Sequence, residues 1–507
     1  MQLKEILRDL PGARVTGDPE TSIQGLAYDS RAVERGYLFA ALRGEARDGL
    51  DFLDQALERG AVAVLASRPS RGRVAWVQAE DDRRALALMA RAYYGRPDER
   101  LMTVGVTGTN GKTTVCYLLE AALREADLKP CLLGTVAYRY GRDESRADRT
   151  TPESLDLYRH LDRFASSGAR SCAMEVSSHA LAQQRVAGIA FRAGVFTNLT
   201  QDHLDFHRTM ERYREAKAGL FRDLPERAVA VLNADDEASA AMRAATRARV
   251  VTFGESTGAD LRLASHRPTA GGSEVTLAIG PGVAPGASLP GTLTIASPLI
   301  GVLNARNLAA AAAASLALGL PVEAVARGLG QMRGVPGRLE RVDDDGEFLV
   351  LVDYAHTDDA LSQVLSAVRE LRPRRVITVF GCGGDRDRAK RPRMGFAAAQ
   401  ASDLVIVTSD NPRSEDPQAI IDGILPGVRK ALGGPESAPL PEERCLVVLD
   451  RREAIRRAVE RARKGDCVVI AGKGHEPYQI LADKTIPFDD RQVARDALAG
   501  LRRGKAV

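Results

Sequence analysis

A glycine-rich segment, GTNGKTT at residues 108–114, has the residue types that bind a nucleotide phosphate. In such a turn, backbone N–H groups and the N-terminus of the following helix surround the phosphate oxygens, a lysine adds positive charge, and a hydroxyl binds Mg²⁺. Gly105 stands one residue too early for the spacing GxxxxGK[ST], so the sequence predicts a shortened loop. Its residues are Thr107, Gly108, Thr109, Asn110, Gly111, Lys112, Thr113 and Thr114.

Acidic and imidazole side chains follow further along the chain. Glu175 comes directly after the apolar pair Ala173-Met174, and a carboxylate at a strand end beside a phosphate loop is a natural Mg²⁺ ligand. The segment TNLTQDHLDFH adds Asn198, Asp202, His203, Asp205 and His207. Hard oxygen ligands favour Mg²⁺ over zinc at such a site. The spacing of His203 and His207 places them on one helix face, where His207 serves either the site or only local packing.

The composition is that of a soluble protein with several cores. The chain has 507 residues, 44% apolar and 27% charged, with a net charge of +4. This small charge argues against nucleic-acid or membrane binding as the main function. The N-terminal segment does not resemble a signal peptide, the longest apolar stretch is too short to span a bilayer, and the six cysteines form no CxxC pair. We therefore expect a cytoplasmic protein with buried free thiols.

Short β-branched runs alternate with helical stretches along the chain, which predicts an α/β fold with parallel strands buried on both faces. Breaks at GRPDER and at RGVPGRLERV suggest three domains, residues 1–98, 99–335 and 336–507. The segment PGVAPGASLPG at 281–291 is too rich in proline and glycine for regular structure, so we interpret it as a hairpin loop within the second domain.

Several motifs, in this order, resemble those of the Mur ligases of peptidoglycan synthesis: GTNGKTT, EVSSHAL, TNLTQDHLDFH, the lysine of YREAKAGLF, DYAHTDDAL and FGCGGDRDRAKRP. The resemblance covers essentially the whole chain. It implies an N-terminal α/β domain that binds UDP-MurNAc, a central P-loop-type ATP-binding domain with a parallel sheet, and a C-terminal Rossmann-like domain that binds an amino acid. Within the family, the chain is most similar to the enzymes that add the third residue of the stem peptide.

The resemblance also implies the chemistry. Such ligases use ATP to convert a substrate carboxylate into an acyl phosphate, which an amine attacks to form an amide. The catalytic residues implied here are Lys112, Glu175, His203 and Lys217. Two Mg²⁺ ions are implied, with Thr113 and Glu175 at the first, His203 at the second, and Lys217 beside them as a carbamate. The positions implied for the nucleotide, besides the phosphate loop, are Asn304, Arg338, Asp353 and His356.

Three further groups match the family's substrate positions. Those for the uridine diphosphate are Ser30, Glu45, Ala46 and Arg47. Those for the muramoyl peptide are Thr150, Thr151, Ser178, Gln183 and Arg185. Those for the amino acid are Arg386, Asp410, Asn411, Pro412, Arg413, Gly472 and Glu476. Arg413 suits the distal carboxylate of meso-diaminopimelate and Glu476 its distal ammonium, so the implied substrates are UDP-MurNAc-L-Ala-D-Glu and meso-diaminopimelate.

Four alternatives stay open. The same ligase could add L-lysine, and a folylpolyglutamate synthetase would share the fold and the phosphate loop. A P-loop switch or motor and a zinc hydrolase built on His203, Asp205 and His207 are weaker, because neither uses all the motifs. The family motif HTPDAL reads HTDDAL here, with Asp358 in place of proline, and an aspartate suits a helix N-terminus. We expect a monomer.

Overall fold

The structure, a computed structural model, describes residues 1–44, 47–69, 72, 74–269, 271–286, 288–342, 347–435 and 439–505. Within these residues, three sheets of five, eleven and six strands follow one another, and a two-stranded ribbon lies near the C-terminal end. The fold is therefore α/β with three domains, as predicted. The boundaries after residues 98 and 335 remain proposals. Among the described residues, no helix is long and apolar enough to cross a bilayer.

The first sheet has the order β1-β5-β4-β3-β2, with β1 antiparallel to β5 and the other neighbours parallel. Its strands are β1 (Arg14–Thr16), β2 (Gly25–Ala27), β3 (Tyr37–Ala40), β4 (Ala63–Ala66) and β5 (Ala75–Gln78). The helices of this part are α1 (Leu3–Ile6), α2 (Leu53–Glu58), α3 (Asp82–Tyr93) and α4 (Pro97–Arg100), with 3₁₀ turns at Leu7–Asp9, Ser30–Ala32 and Gly49–Phe52.

The second sheet is the largest. Its strands are β6 (Met102–Thr107), β7 (Pro130–Leu133), β8 (Ala137–Tyr140), β9 (Asp143–Arg146), β10 (Ser171–Glu175), β11 (Ala193–Phe196), β12 (Val229–Asn233), β13 (Arg249–Gly254), β14 (Leu261–Thr269), β15 (Gly272–Ile279) and β16 (Thr292–Ser297). The helices are α5 (Lys112–Glu125), α6 (Ser154–Ser166), α7 (Ser178–Ala182), α8 (Leu204–His207), α9 (Met210–Arg222), α10 (Ser239–Ala245), α11 (Val302–Ala317) and α12 (Val322–Gln331).

The order of this sheet explains where the predicted site forms. Strand β6 lies between β10 and β11, and all three run parallel. Their carboxyl ends therefore meet at one edge, where parallel sheets bind ligands. This edge carries the phosphate loop after β6, Glu175 at the end of β10, and the segment TNLTQ after β11. Strands β15 and β16 pair antiparallel across residues 280–291, which confirms the predicted hairpin loop.

The third sheet has the order β17-β18-β22-β19-β20-β21 and is parallel except for β17. Its strands are β17 (Glu340–Arg341), β18 (Leu349–Asp353), β19 (Val376–Phe380), β20 (Leu404–Val407), β21 (Cys445–Val447) and β22 (Cys467–Ala471), and β23 (Tyr478–Ile480) and β24 (Thr485–Pro487) form the ribbon. The helices are α13 (Asp358–Glu370), α14 (Lys390–Ala401), α15 (Pro417–Ala431), α16 (Arg451–Arg461) and α17 (Asp490–Lys505).

The apolar runs that predict strands do form them. Strands β4, β6, β19, β20 and β22 pair parallel with neighbours, and their residues are buried throughout apart from the first residue of β6. All six cysteines are buried and unpaired, so the predicted free thiols are also confirmed. Helix α13 begins at Asp358, with the Thr357 hydroxyl accepting from the backbone N–H of Ala360. Asp358 therefore occupies a helix N-terminus, as expected.

Candidate active site

The phosphate loop is held in shape by close backbone approaches. Gly108 has a φ of +150°, and a Cβ there would lie 1.8 Å from Thr197 Oγ1. Gly111 has a φ of +85°, and a Cβ there would lie 2.4 Å from Asn307 Oδ1. The segment after β11 also clamps the loop, because the N–H of Asn110 donates to Asn198 Oδ1 at 2.9 Å. These contacts leave room only for glycine at both positions.

Lys112 begins helix α5 and folds back over the loop. Its Nζ donates to Gly108 O at 2.9 Å and to Thr109 O at 2.7 Å. Burial lowers the pKa of Lys112, and the nearby carboxylate of Glu175 opposes that shift. The side chain thus brings its charge to the point where the N-terminus of α5 favours an anion.

Lys217 comes from helix α9 and is 1% exposed. Its Nζ donates to Gly108 O at 2.8 Å and lies 4.5 Å from the centre of the Tyr213 ring. Burial and the ammonium of Lys112 hold the pKa of Lys217 well below its usual value. The carboxylate of Asp202, which lines the same cavity, opposes this shift but does not outweigh it. Lys217 is therefore an amine with little reason to stay charged.

The carboxylate of Glu175 is fixed by Thr135, which lies in the turn after β7. The backbone N–H of Thr135 donates to Glu175 Oε1 at 2.8 Å, and its hydroxyl donates to Oε2 at 3.0 Å. The same hydroxyl lies 3.1 Å from Thr150 Oγ1. Thr135 therefore connects the predicted metal ligand to the predicted muramoyl-peptide position.

His203 and His207 play different parts. His203 has a left-handed backbone with φ +54°, and its side chain is 40% exposed toward the cavity. Burial lowers the pKa of His203 to about 4, so its imidazole is neutral at pH 7 and able to bind a metal ion. His207 is buried, with Nε2 2.9 Å from Ser178 Oγ. His207 therefore acts through local packing.

The nucleotide positions are contributed by both the second and third domains. Arg338 Nη2 donates to Thr113 Oγ1 at 3.4 Å, and its guanidinium stacks on the Tyr354 ring at 4.6 Å. Asp353 accepts from the backbone N–H groups of Leu339 and Ala355, and burial raises its pKa. His356 Nδ1 lies 3.0 Å from Tyr354 O, and burial lowers its pKa. Asn304 donates from Nδ2 to Ile300 O at 2.9 Å.

These groups surround one cleft between the second and third domains, with a cavity of about 530 Å³. It is lined by predicted residues from both domains. They are Gly108, Thr109, Asn110, Gly111, Lys112, Thr113, Thr114, Thr150, Glu175, Ser178, His203, Lys217, Asn304, Arg338, Asp353 and His356. The structure therefore brings the predicted phosphate, metal and nucleotide groups together.

The remaining muramoyl-peptide positions lie next to this cleft. Thr151 donates from its hydroxyl to Glu175 O at 2.8 Å, and Arg185 Nη1 donates to Thr151 O at 2.9 Å. Arg185 also donates from Nη2 to Gln183 Oε1 at 2.6 Å. Ser178 is 2% exposed and paired with His207, whereas its neighbour Ser177 is half-buried beside Thr151 and lines the cavity. Ser177 is thus the more accessible hydroxyl of the pair.

The predicted uridine-diphosphate positions lie apart from the cleft, in the first domain. Ser30 is buried, and its hydroxyl donates to Gln55 Oε1 at 2.6 Å. Arg47 is exposed, and its carbonyl accepts from the N–H of Gly44 at 2.9 Å, which closes a tight turn. Glu45 and Ala46, also predicted here, lie outside the described residues. The Tyr28 hydroxyl donates to Asp156 at 2.6 Å and joins this domain to the second.

The predicted amino-acid positions form a separate group at the carboxyl ends of β19, β20 and β22. Arg413 Nη1 donates to Gly384 O at 2.8 Å, and a Cβ at Gly384 would lie 1.9 Å from Pro412 O, so the two loops touch. Arg386 is exposed in the first of these loops. A Cβ at Gly472 would lie 2.9 Å from Asp410 Oδ2. Asn411 Nδ2 donates to Glu476 Oε2 at 2.9 Å, which joins the group.

Comparison with known proteins now identifies the family. Residues 106–315 match the Mur ligase middle domain, residues 337–474 the glutamate ligase domain of Mur ligases, and residues 22–94 the catalytic domain of the Mur ligase family. The chain is 49% identical to UDP-N-acetylmuramoyl-L-alanyl-D-glutamate--2,6-diaminopimelate ligase of Solibacter usitatus, over 99% of each chain. This chain belongs to the Mur ligase family.

Solved structures agree with this Mur ligase fold. A structure of a UDP-N-acetylmuramoyl-L-alanyl-D-glutamate--2,6-diaminopimelate ligase is 33% identical, covers 99% of each chain and has a TM-score of 0.70. A folylpolyglutamate synthase of Mycobacterium tuberculosis is 20% identical, covers 76% of this chain and 91% of its own, and has a TM-score of 0.60. The second likeness shows a shared fold only.

The sequence motifs missed several residues of this Mur ligase that contact the site. Thr135, Ser177 and the buried Lys473 each contact a predicted residue. Thr135 follows β7, which pairs parallel with β10, so its position at the same sheet edge was available as a signal. Nothing in the sequence separates Ser177 from Ser178. Lys473 lies between two glycines, which is a signal for a backbone that must fit closely around a site.

Proposed function

We propose that this Mur ligase joins meso-diaminopimelate to UDP-MurNAc-L-Ala-D-Glu through an amide bond, converting ATP to ADP and phosphate. Two relatives described above are named for this activity, and each matches this chain over nearly its whole length. One observation supports the amino acid in particular. A cation, Arg413, and a carboxylate, Glu476, lie in the loops after parallel strands. Asn411 contacts both, because its side chain donates to Glu476 Oε2 at 2.9 Å and its carbonyl lies 3.5 Å from Arg413 Nη1.

The cleft supports transfer of a phosphoryl group to a carboxylate. Both are anions, so the reaction needs positive charge more than it needs a protein nucleophile. Lys112, the N-terminus of α5 and Arg338 supply this charge from two sides of the cavity. Thr150, Thr151 and Arg185 lie beside Glu175 and would bind the muramoyl peptide, with its D-Glu carboxylate directed toward the phosphate loop.

The donor set also suits Mg²⁺. The Thr113 hydroxyl and the Glu175 carboxylate are hard oxygen ligands in one cavity, and His203 is a neutral imidazole because of its lowered pKa. When bound, Mg²⁺ would neutralise phosphate charge. A zinc hydrolase built on His203, Asp205 and His207 would leave the phosphate loop without a role.

Lys217 supports the proposed carbamate. A neutral amine attacks CO₂, whereas an ammonium does not, and burial together with Lys112 lowers the pKa of Lys217. The product would be an anion beside Lys112, which removes the repulsion between two buried cations. Lys217 lines the same cavity as Thr113, Glu175 and His203, so a carbamate there would add an anion to the residues proposed to hold Mg²⁺.

The test is phosphate release from ATP with UDP-MurNAc-L-Ala-D-Glu and one of two amines. Release that depends on meso-diaminopimelate and not on L-lysine would support the proposed function. Release with L-lysine would keep the ligase and exclude our interpretation of Arg413. Release with neither amine, but with a folate and glutamate, would favour the folylpolyglutamate synthetase.

We also propose that the enzyme acts as a monomer in the cytoplasm. Sedimentation would check its oligomeric state, and cell fractionation would check its localisation.

A further inference from the structure

Lys473 is a charged residue in the third domain that the proposed reaction does not use. It lies in the loop after β22, and its side chain is fully buried. Its Nζ donates to Asn411 Oδ1 at 3.0 Å and to Glu476 Oε2 at 3.3 Å, and lies 3.8 Å from Asp410 Oδ1. All three partners are predicted amino-acid positions. A buried cation with such partners is fixed in one place.

Lys473 determines how the Asn411 amide is oriented. Asn411 Oδ1 accepts from Lys473 and from the backbone N–H of Ile480, and Nδ2 donates to Glu476. A flipped amide would set its NH₂ group against the ammonium and against a backbone donor. Lys473 therefore holds both Asn411 and Glu476 in the geometry that the ligand meets.

Asp410 supplies an unused acceptor beside this group. It is 6% exposed, and its Oδ1 has no hydrogen-bond partner among the described residues. The nearby guanidinium of Arg451 is committed elsewhere, because it donates to both carboxylate oxygens of Asp490 at 2.8 and 2.7 Å. A buried acceptor without a donor is costly, so Asp410 Oδ1 is suited to receive a donor from the ligand.

We infer that Lys473 is a positioning and specificity-determining residue of the amino-acid site. Its ammonium fixes Asn411 and Glu476 and compensates one of the two carboxylates, Asp410 and Glu476, that face the ligand. This inference rests on the proposed function, because it assumes that the amino acid binds here. It makes Lys473 part of the selection of meso-diaminopimelate.

The net charge of Asp410, Glu476 and Lys473 explains why the site would select meso-diaminopimelate over L-lysine. With Lys473 present, the two carboxylates and one ammonium carry a net charge of −1, which one ligand ammonium cancels. The distal centre of meso-diaminopimelate brings an ammonium for this group and a carboxylate for Arg413. Without Lys473, the group has a net charge of −2, which favours a bare ammonium such as that of L-lysine over a zwitterion. Loss of Lys473 should therefore weaken discrimination as well as binding.

The experiment compares Lys473→Met with a control, Arg375→Met, in the full-length enzyme. Arg375 pairs with the buried Asp466 at the opposite end of β22, so its loss perturbs the same domain away from the site. We expect Lys473→Met to raise KM for meso-diaminopimelate by about tenfold or more. KM for ATP and for the muramoyl dipeptide should change by less than about twofold.

The decisive measurement is kcat/KM for meso-diaminopimelate divided by kcat/KM for L-lysine. We expect this ratio to fall by about tenfold in Lys473→Met and to stay unchanged in Arg375→Met. Should Lys473→Met not fold, Lys473→Gln keeps a hydrogen-bond donor without the charge and should show the same fall in the ratio. An unchanged ratio in both Lys473 variants, or an equal rise of KM for all substrates, would overturn the inference while the proposed function stands. Wild-type enzyme without diaminopimelate-dependent phosphate release would contradict the proposed function itself.

Discussion

Lys217 and Lys473 are both almost fully buried, but the charges around their ammonium groups differ. Lys217, in the central cleft, has one carbonyl and one aromatic ring as neighbours and faces a second cation, Lys112. Lys473, in the amino-acid site, has two carboxylates and an amide oxygen around its Nζ. The first environment disfavours an ammonium, whereas the second offers carboxylate partners to one.

Because of this difference, we expect the same type of side chain to have two functions in one fold. An unpaired buried lysine is a reactive amine, and its conversion to an anion by CO₂ relieves the repulsion that its surroundings create. A paired buried lysine is a fixed charge that orients its partners. The partners of Nζ, and not the burial of the side chain, decide which role follows.

The largest effect is expected at Lys217. Lys217→Ala removes both the proposed carbamate and the negative charge it would place on the metal side of the cavity. We expect kcat to fall by about 100- to 1,000-fold, the usual consequence of losing one group that stabilises charge in a transition state. Steady-state phosphate release with saturating substrates measures this loss.

Short carboxylates provide the control for Lys217→Ala. Acetate or formate can occupy the space that the side chain leaves and restore an anion there, so part of the activity should return. Lys112→Ala, tested in the same way, should not respond, because a cation is missing at that position. A Lys217→Ala enzyme that ignores added carboxylate would count against the carbamate.

Arg413 is expected to show the next largest effect. Its substitution tests the amino-acid site, to which Lys473 also belongs. Arg413→Ala removes the cation proposed for the distal carboxylate, so KM for meso-diaminopimelate should rise by about 10- to 100-fold. KM for ATP should stay nearly constant. The control is Arg388→Ala, since Arg388 lies in the neighbouring loop, is 74% exposed and pairs with Glu415 at 3.1 Å. Equal rises in both KM values would indicate a structural role for Arg413.

Removal of CO₂ should have a smaller effect. A lysine carbamate forms reversibly, so dialysis against CO₂-free buffer at mildly acidic pH should leave the wild-type enzyme partly inactive. Added bicarbonate should restore the activity with a measurable lag. ¹³C-labelled CO₂ should give one carbamate resonance in the wild type and in Lys473→Met, and none in Lys217→Ala. A signal that persists in Lys217→Ala would place the carbamate on another amine.

The sequence predicts the fold class and the phosphate loop because both depend on residues that are close together in the chain. The phosphate loop, its strand and its helix lie within Met102–Glu125, and the apolar runs of parallel strands are recognisable without any long-range information. The edge at which the loops meet also follows from the parallel order of the strands. Together these features predict the fold class and the central cleft.

What the sequence could not predict depends on contacts between distant elements. The residue types around Lys217 on helix α9 are those of a surface lysine. Its burial depends on contacts made in the folded chain, among them the hydrogen bond to Gly108 O from a loop far away in the sequence. Ser177 and Ser178 differ by one position, and the start of helix α7 decides which hydroxyl meets Thr151 and which meets His207. Lys473 finds Asn411 and Asp410 in a distant loop, since Asn411 stands 62 positions earlier in the chain.

The smallest expected effect is on the free energy of unfolding. Its sign should differ between substitutions of Lys217 and of Lys473. Lys217→Met should leave the free energy of unfolding unchanged or raise it by up to about 1 kcal/mol, because an apolar chain replaces a desolvated amine without a carboxylate partner. Gly108 O keeps a donor in this variant, since Lys112 Nζ also binds it at 2.9 Å. Lys473→Met should lower the free energy by about 1–3 kcal/mol, because it leaves Glu476 and Asp410 uncompensated in a buried site.

Thermal and urea unfolding of both variants measure this difference in buffer without CO₂, nucleotide or divalent metal, so that neither a carbamate nor a ligand adds stability to the wild type. The apparent Tm should rise or stay constant for Lys217→Met and fall for Lys473→Met. Equal falls would mean that Lys217 has a stabilising partner in solution, and its proposed reactivity would then lose its physical basis. Equal rises would mean that the carboxylates around Lys473 do not need its charge, and the amino-acid site would then be organised by Arg413 and Asn411 alone.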